Sequence, residues 1–401
     1  MPGVFALDGT IRDYAWGSTT AIQQLLGLPV DGRPAAELWF GAHPGAPSPA
    51  LGTTLDELIA TDPAGLLGEP VVAEFGPRLP FLLKVLAAVK PLSIQVHPTR
   101  TQAETGFAAE DARGIAIDAP QRNYRDRNHK PELLCALSGF DALCGFRPVV
   151  ATLRLLDALD LDGLEPVRAR LAGEGLRAAF SHLLTLDDPA PLAVAVAARL
   201  AALDDPQWAG VGAAVAAAAA YFPGDVGVVL ALLLNHVRLQ PGEAIYLGAG
   251  TVHAYLRGTG VEIMANSDNV LRCGLTTKHV DVDELLAITD FTELPVPRWP
   301  SSGTAGFGVD FDVPVPDFAL HSAELDAYRK PGRDRGSCAT GDAGKPYLVL
   351  CVSGGVRVRA ERSSVVLSPG RAAFVPARDP AFTLEGTGQT FLATVGLPTR
   401  R

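Results

Sequence analysis

The sequence has no Cys-x-x-Cys pair, and its five cysteines (Cys135, Cys144, Cys273, Cys338 and Cys351) are odd in number and widely spaced. That excludes both a disulfide framework and a thiolate zinc site. Positive charge is in deficit: 34 Lys+Arg against 44 Asp+Glu give a formal net charge of −10. Such a balance argues against general binding to nucleic acid or to an anionic membrane. The most apolar region, 209–234, is broken by Pro223-Gly224-Asp225 into pieces too short to span a bilayer. The opening MPGVFALDGTIRDYAWGS lacks a basic start followed by an apolar run, so no secretory leader is expected. The expected location is therefore cytoplasmic. Low complexity is confined to the alanine-rich run 213–220, which reads as helix.

What is present is a chain of 401 residues, 48% hydrophobic and 19% charged, long enough for more than one domain and a large core. Residues 1–147 mix short apolar runs with Gly and Pro and read as strands and turns with some helix. From 148 to 235 the pattern changes. Apolar residues recur at helical spacing, as in Leu153, Leu156 and Leu159, then Val167, Leu171 and Leu176, which predicts four or more helices. Short runs return with GEAIYLGAGTVHAYL and GVEIMANSDNVLRCGLT, so the helical block is inserted into a β domain. After a Pro-rich stretch (Pro295, Pro297, Pro300), the runs PYLVLCVSG, GVRVRA, SSVVLSPG, RAAFVPA and QTFLATVG predict an all-β sandwich or barrel. The charged segment 328–345 reads as a solvated loop.

The chemistry-bearing residues fall in four segments. In KPLSIQVHPTR a strand puts Ser93, Gln95 and His97 on one face, with Ile94 and Val96 directed to the core. In NHKPELLCAL, Glu132 begins an apolar strand just after Lys130. In LGAGTVHAYL, His253 follows a Gly-rich turn. Each residue alone is as readily structural: a hydrogen-bonded histidine, or a carboxylate at a strand end. Together Gln95, His97, Glu132 and His253 offer two imidazoles, a carboxylate and an amide oxygen, a set suited to a borderline divalent metal such as zinc with an open catalytic position. The fourth segment, NVLRCGLTTKHVDV, adds Arg272 and Lys278, which with Lys84 could meet an anion such as phosphate. Glu262 either enters the same cavity or flanks it.

These motifs resemble the type I mannose-6-phosphate isomerases, the zinc-dependent phosphomannose isomerases of the cupin superfamily. The resemblance runs through YAWGS (Tyr14 to Ser18), ELWFGAHPGAPS, LPFLLKVLAAVKPLSIQVHP, NHKPEL, HAYL and NVLRCGLTTKHVDV, in order along nearly the whole chain. It implies one Zn2+ per chain on Gln95, His97, Glu132 and His253, with Arg272 assisting ring opening. It implies substrate and phosphate contacts at Lys84, Ser93 and Lys278, and proton-transfer roles for Lys130 or His129, ranked above Glu262. It further implies reversible conversion of mannose 6-phosphate to fructose 6-phosphate through an enediol, which bears on mannose use and on supply of GDP-mannose. The fold it implies is mainly β with an α-helical insertion: a catalytic cupin domain (1–147 and 236–290), a helical domain (148–235) and a C-terminal cupin-like β domain (291–401), two jelly-roll barrels in all. His321, near the start of the second barrel, is given no metal. A small-molecule sugar phosphate is the expected partner, without nucleic acid or membrane; a monomer is expected, with homo-oligomerisation left open.

Gly248, Val252, Cys273 and Thr277 depart from residues common in that family; Cys273 beside Arg272 raises the question of thiol sensitivity, although a cysteine on a strand is usually a small buried apolar residue. A cupin-type metal oxygenase and a non-catalytic sugar-phosphate sensor are the competing readings. Gln95 as a fourth ligand and the basic cluster weigh against the first, and the lack of a DNA-binding module weighs against the second.

Overall fold

The structure, a computed structural model, describes residues 3–295, 298–304, 308–325, 337–340, 344–379 and 381–398. It is mainly β, with twelve α-helices among the described residues. Two compact units divide the chain: Met1–Ala87, Gly260–Asn266 and Trp299–Arg401 form one, and Ala88–Thr259 with Ser267–Arg298 form the other.

In the first unit an antiparallel sheet runs as an open path from Phe5–Leu7 through Arg371–Val375, Tyr347–Cys351, Phe382–Thr394 and Ala319–Leu325 to Gly308–Phe311 and Ser302–Thr304. The long strand Phe382–Thr394 changes partner along both of its edges; on one, Ser337–Thr340 gives way to Ala319–Leu325. On the other edge its first half pairs with Gly355–Ala360 and its second with Tyr347–Cys351. The change of partner falls at Gly386 and Gly388, whose φ values are +140° and +103°. A Cβ at either would lie 2.1 Å from a backbone oxygen, so only glycine permits this bend. Alternating residues Val356, Val358, Leu384 and Leu392 fill the core beneath. The same unit holds the strand pair Glu37–Gly41 and Phe81–Ala88, with Trp39 directly opposite Lys84.

In the second unit the helical block expected from leucine spacing forms Val149–Leu159, Glu165–Gly173, Leu176–Leu184, Ala190–Ala202, Ala209–Tyr221 and Gly227–Leu230. Its buried faces (Leu155, Phe180, Val196, Val215) share one core with Ile94, Val96, Ala254, Leu271 and Cys273. Those five belong to the strands Ile94–Val96, His253–Ala265 and Leu271–Gly274, so each strand turns an apolar face to the helices and leaves its other face for polar side chains. The 328–345 segment lies largely outside the described residues. Within it, however, Ser337–Thr340 is a strand paired with residues 382–385, not part of a loop.

Candidate metal centre

Strand register assembles the site. Ile94–Val96 pairs antiparallel with two neighbours, and Gln95 lies opposite His253 on one side and Arg272 on the other. Arg272, Gln95 and His253 thus form a cross-strand row on the face turned from the helical core. His97 follows directly after its strand. Its carbonyl accepts the N–H of Gly250, at 2.9 Å, in the turn that leads into His253. Gly250 has φ +79°, a conformation that favours glycine.

His97, Glu132 and His253 are buried, and one ligand atom from each lies within 4.8 Å of the others. His97 Nε2 is 3.5 Å from Glu132 Oε1, and His253 Nε2 is 3.4 Å from Glu132 Oε2. Each imidazole is oriented through its other nitrogen: His97 Nδ1–H donates to the Asn269 carbonyl at 2.8 Å, and His253 Nδ1–H to the Thr251 carbonyl at 2.9 Å. Both rings therefore present an Nε2 lone pair to the same point, as carbonyls bonded to the far ring nitrogen commonly arrange for metal-binding histidines. The Gln95 amide nitrogen sits 3.2 Å from His253 Nε2, so turning the amide over would bring its oxygen to the cluster. His97 Nε2 and Glu132 Oε2 are buried without a hydrogen-bond partner, a costly arrangement that a cation would relieve.

The electrostatics suit the same occupant. Burial and the nearby Lys130 ammonium push His97 down to about 4, so the ring is neutral at physiological pH. Burial opposes charge on Glu132, but the Lys130 ammonium and the neighbouring imidazoles outweigh it and hold the carboxyl well below the usual carboxylate range. Lys130 Nζ lies 3.0 Å from Glu132 Oε1. His129, next along the loop, accepts from Arg100 Nη2 at 3.2 Å.

Ser93 is half-buried just before the strand. Arg272 is half-buried, and burial and the Arg125 guanidinium depress it; Lys278 is exposed and is depressed chiefly by Arg272, then by burial and Arg125. These directions mark three cations gathered together. The sequence pattern had offered two of them, and Arg125 gave no signal because nothing local ties it to Arg272.

Lys84 and Glu262 belong to the first unit and are paired with each other. Lys84 Nζ is 3.1 Å from Glu262 and 3.5 Å from Glu37, and lies over the Trp39 ring at 5.1 Å. Trp39 Nε1–H donates to Glu37 at 2.7 Å. All four side chains are buried. Cys273 is fully buried and burial pushes its thiol up, so it is the small buried packing residue that a strand cysteine usually is, without thiol sensitivity. His321 hydrogen-bonds Asp310.

Sequence reasoning passed over Asn269. Its side-chain NH2 donates to the carbonyls of Asp126 and Asn128, at 2.9 and 2.8 Å, while its oxygen accepts from the N–H groups of Arg125 and Asp126, at 2.7 and 3.2 Å. One buried amide thus ties the loop leading to His129 and Lys130 to the residue whose carbonyl orients His97.

Buried in a mainly β protein, two imidazoles and a carboxylate converging on one point are the donor set of a mononuclear metal site. Residues 4–149 match the family described as phosphomannose isomerase type I, catalytic domain. Mannose-6-phosphate isomerase of Salmonella typhimurium is 40% identical over 395 residues, covering 96% of this chain and 97% of its own. The Homo sapiens protein of the same name is 33% identical over 362 residues, covering 81% and 82%. The apo crystal structure of the Salmonella typhimurium enzyme superposes with a TM-score of 0.90 at 37% identity, covering 99% of this chain and 100% of that one. A second structure of that enzyme, bound to substrate (f6p) and a zinc atom, gives 0.89 at 37% identity, covering 98% and 100%. The chain belongs to the type I phosphomannose isomerase family.

Proposed function

We propose that this chain is a zinc-dependent aldose–ketose isomerase interconverting D-mannose 6-phosphate and D-fructose 6-phosphate. The observation that carries the reading is the buried His97–Glu132–His253 cluster, with two orphaned polar atoms, in a member of this family. One zinc per chain would be held by Gln95, His97, Glu132 and His253. When bound, zinc supplies Lewis-acid stabilisation to sugar oxygens, because three neutral ligands and one anion leave it a net charge near +1.

The chain's own residues supply the rest. Arg272, in the cross-strand row beside Gln95, assists ring opening and faces the negative charge that develops on the open-chain sugar. A base removes the C2 proton of the aldose as O1 gains a proton, giving the enediol; return of a proton to C1 with loss of the O2 proton yields the ketose. Lys130 or His129 is assigned this transfer ahead of Glu262. Ser93 contacts the sugar, and Lys278, joined by Arg125, receives the phosphate dianion.

The finer architecture we assign is a catalytic cupin-like barrel from 1–147 and 236–290, a helical insertion over 148–235, and a second barrel-like β domain over 291–401. Among the described residues no helix is long and apolar enough to cross a membrane. A cytoplasmic enzyme, monomeric, taking a small sugar phosphate and no nucleic acid, and standing between mannose use and GDP-mannose supply, is the corresponding cellular reading. The decisive experiment measures conversion of mannose 6-phosphate by the purified protein as isolated, after chelation and after zinc restoration, with metal content followed in parallel. Chelator-sensitive turnover restored by zinc is expected. Metal-replete protein without turnover would overturn the assignment.

A further inference from the structure

The helical block contributes one carboxylate that its own packing does not explain. Asp225 sits in the turn after Ala209–Tyr221, and its two oxygens accept three backbone N–H groups. Gly227 and Leu275 donate to Oδ1 at 2.6 and 2.7 Å, and Thr276 donates to Oδ2 at 3.2 Å. Two of these donors belong to the segment that leaves the strand Leu271–Gly274 and leads to Lys278. Leu275 there has φ +52°, a left-handed conformation that strains a non-glycine residue. Its side chain is buried, so the strain is held in place and cannot relax by exposure. The two segments also touch through glycine: a Cβ on Gly274 would lie 2.7 Å from the Gly227 Cα, and one on Gly227 2.7 Å from the Leu275 nitrogen.

We infer that Asp225 is a positioning residue for the sugar-phosphate site: by clamping Leu275 and Thr276 it fixes the turn that carries Lys278 relative to Arg272. This rests on the reading above that Lys278, joined by Arg125, receives the phosphate while Arg272 assists ring opening. Carboxylate acceptance of backbone N–H groups is strong enough to hold such a strained turn, because each bond is charge-assisted. Thr276 Oγ1 in turn accepts the Lys278 N–H at 3.1 Å, so the clamp reaches the lysine through one further bond. Asp225 touches neither substrate nor metal in this account.

The test uses the zinc-loaded full chain. Inorganic phosphate serves as the probe, its inhibition constant measured against mannose 6-phosphate, with KM, kcat and zinc affinity alongside. Asp225→Ala is expected to raise both KM and the phosphate inhibition constant about tenfold, leaving kcat within a factor of three and zinc affinity unchanged. Asp225→Asn keeps an oxygen for Gly227 and Leu275 but not for Thr276; it serves if the alanine variant fails to fold, and a two- to fivefold rise is expected. Lys278→Met is the control: if it leaves phosphate inhibition unchanged, the phosphate reading itself falls. If Lys278→Met weakens phosphate binding while both Asp225 variants bind it normally, the positioning role is refuted. Equal loss of zinc affinity and kcat in the Asp225 variants would also refute it, by showing a merely structural part.

Discussion

Asn269→Ala removes one buried amide that spans two structures with separate tasks. Besides a longer contact to the Asp126 carboxylate at 3.3 Å, the change deletes four neutral hydrogen bonds, two to carbonyls and two from N–H groups. At roughly 1 kcal/mol each they are worth about 4 kcal/mol. The exposed Arg125 lets water replace part of this, so a loss of about 2–4 kcal/mol is expected, read as a lower melting temperature of the metal-free protein. The zinc effect is separable. The backbone carbonyl that accepts His97 Nδ1–H survives the substitution, but its position is no longer fixed, so affinity should fall by about tenfold, the lower end of what disturbing a ligand's hydrogen-bond partner costs. Competition with a chromophoric chelator measures that directly, and the gap between zinc-loaded and metal-free melting temperatures should narrow in step. A lower melting temperature with unchanged zinc affinity would show that the amide only stabilises the loop and that His97 is oriented without it. No change in either would refute the accounting of its bonds.

Lys130→Met should cut turnover by about 10²–10⁴-fold while zinc content stays near one per chain; normal turnover would remove Lys130 from proton transfer. For the metal-free protein, His97 titrates near 4 when folded and near ~6.5 when unfolded, so the unfolded chain takes up the extra proton in between. Stability should therefore fall as pH drops from about 6.5 to 4, by up to about 3 kcal/mol, and the depressed Glu132 adds to the loss at still lower pH. A flat melting-temperature profile between pH 7 and 5 would contradict this. Glu262→Gln removes the carboxylate nearer Lys84 and keeps Glu37 beside it, so roughly 2 kcal/mol of stability should be lost, less than the ~3–5 kcal/mol for breaking an isolated buried pair. Urea unfolding that does not distinguish the variant from the parent would count against that pairing.

The parts of the site legible in the sequence are those governed by local rules. Strand alternation alone places Gln95 and His97 opposite Ile94 and Val96, and the glycine turn ahead of His253 marks a strand start. Leucine spacing likewise announces the helices from Val149 onward, because an amphipathic face repeats within one element. What escaped depends on partners far apart in the chain. Asn269 meets Arg125 across 144 positions, and Asp225 meets Leu275 across 50. Neither has a local pattern to betray it. Ser337–Thr340 escaped for another reason: four small residues in a charged stretch carry no period, and only pairing with Phe382–Thr394 makes them a strand.

The helical block gains a purpose from the same alternation. Ile94, Val96, Leu271 and Cys273 are packed among its leucines, and the polar row Arg272–Gln95–His253 stands on the opposite face of those strands. A one-residue slip of Ile94–Val96 would drive Gln95 and His97 into the apolar core and turn two aliphatic side chains toward Glu132. Burying an unpaired amide and imidazole there is costly enough to forbid the slip. The position of the ligand atoms is therefore set chiefly by apolar residues that never face the metal. Asp225 extends that logic from side-chain register to the backbone beyond the strand, where no apolar contact could fix the course of a polar turn.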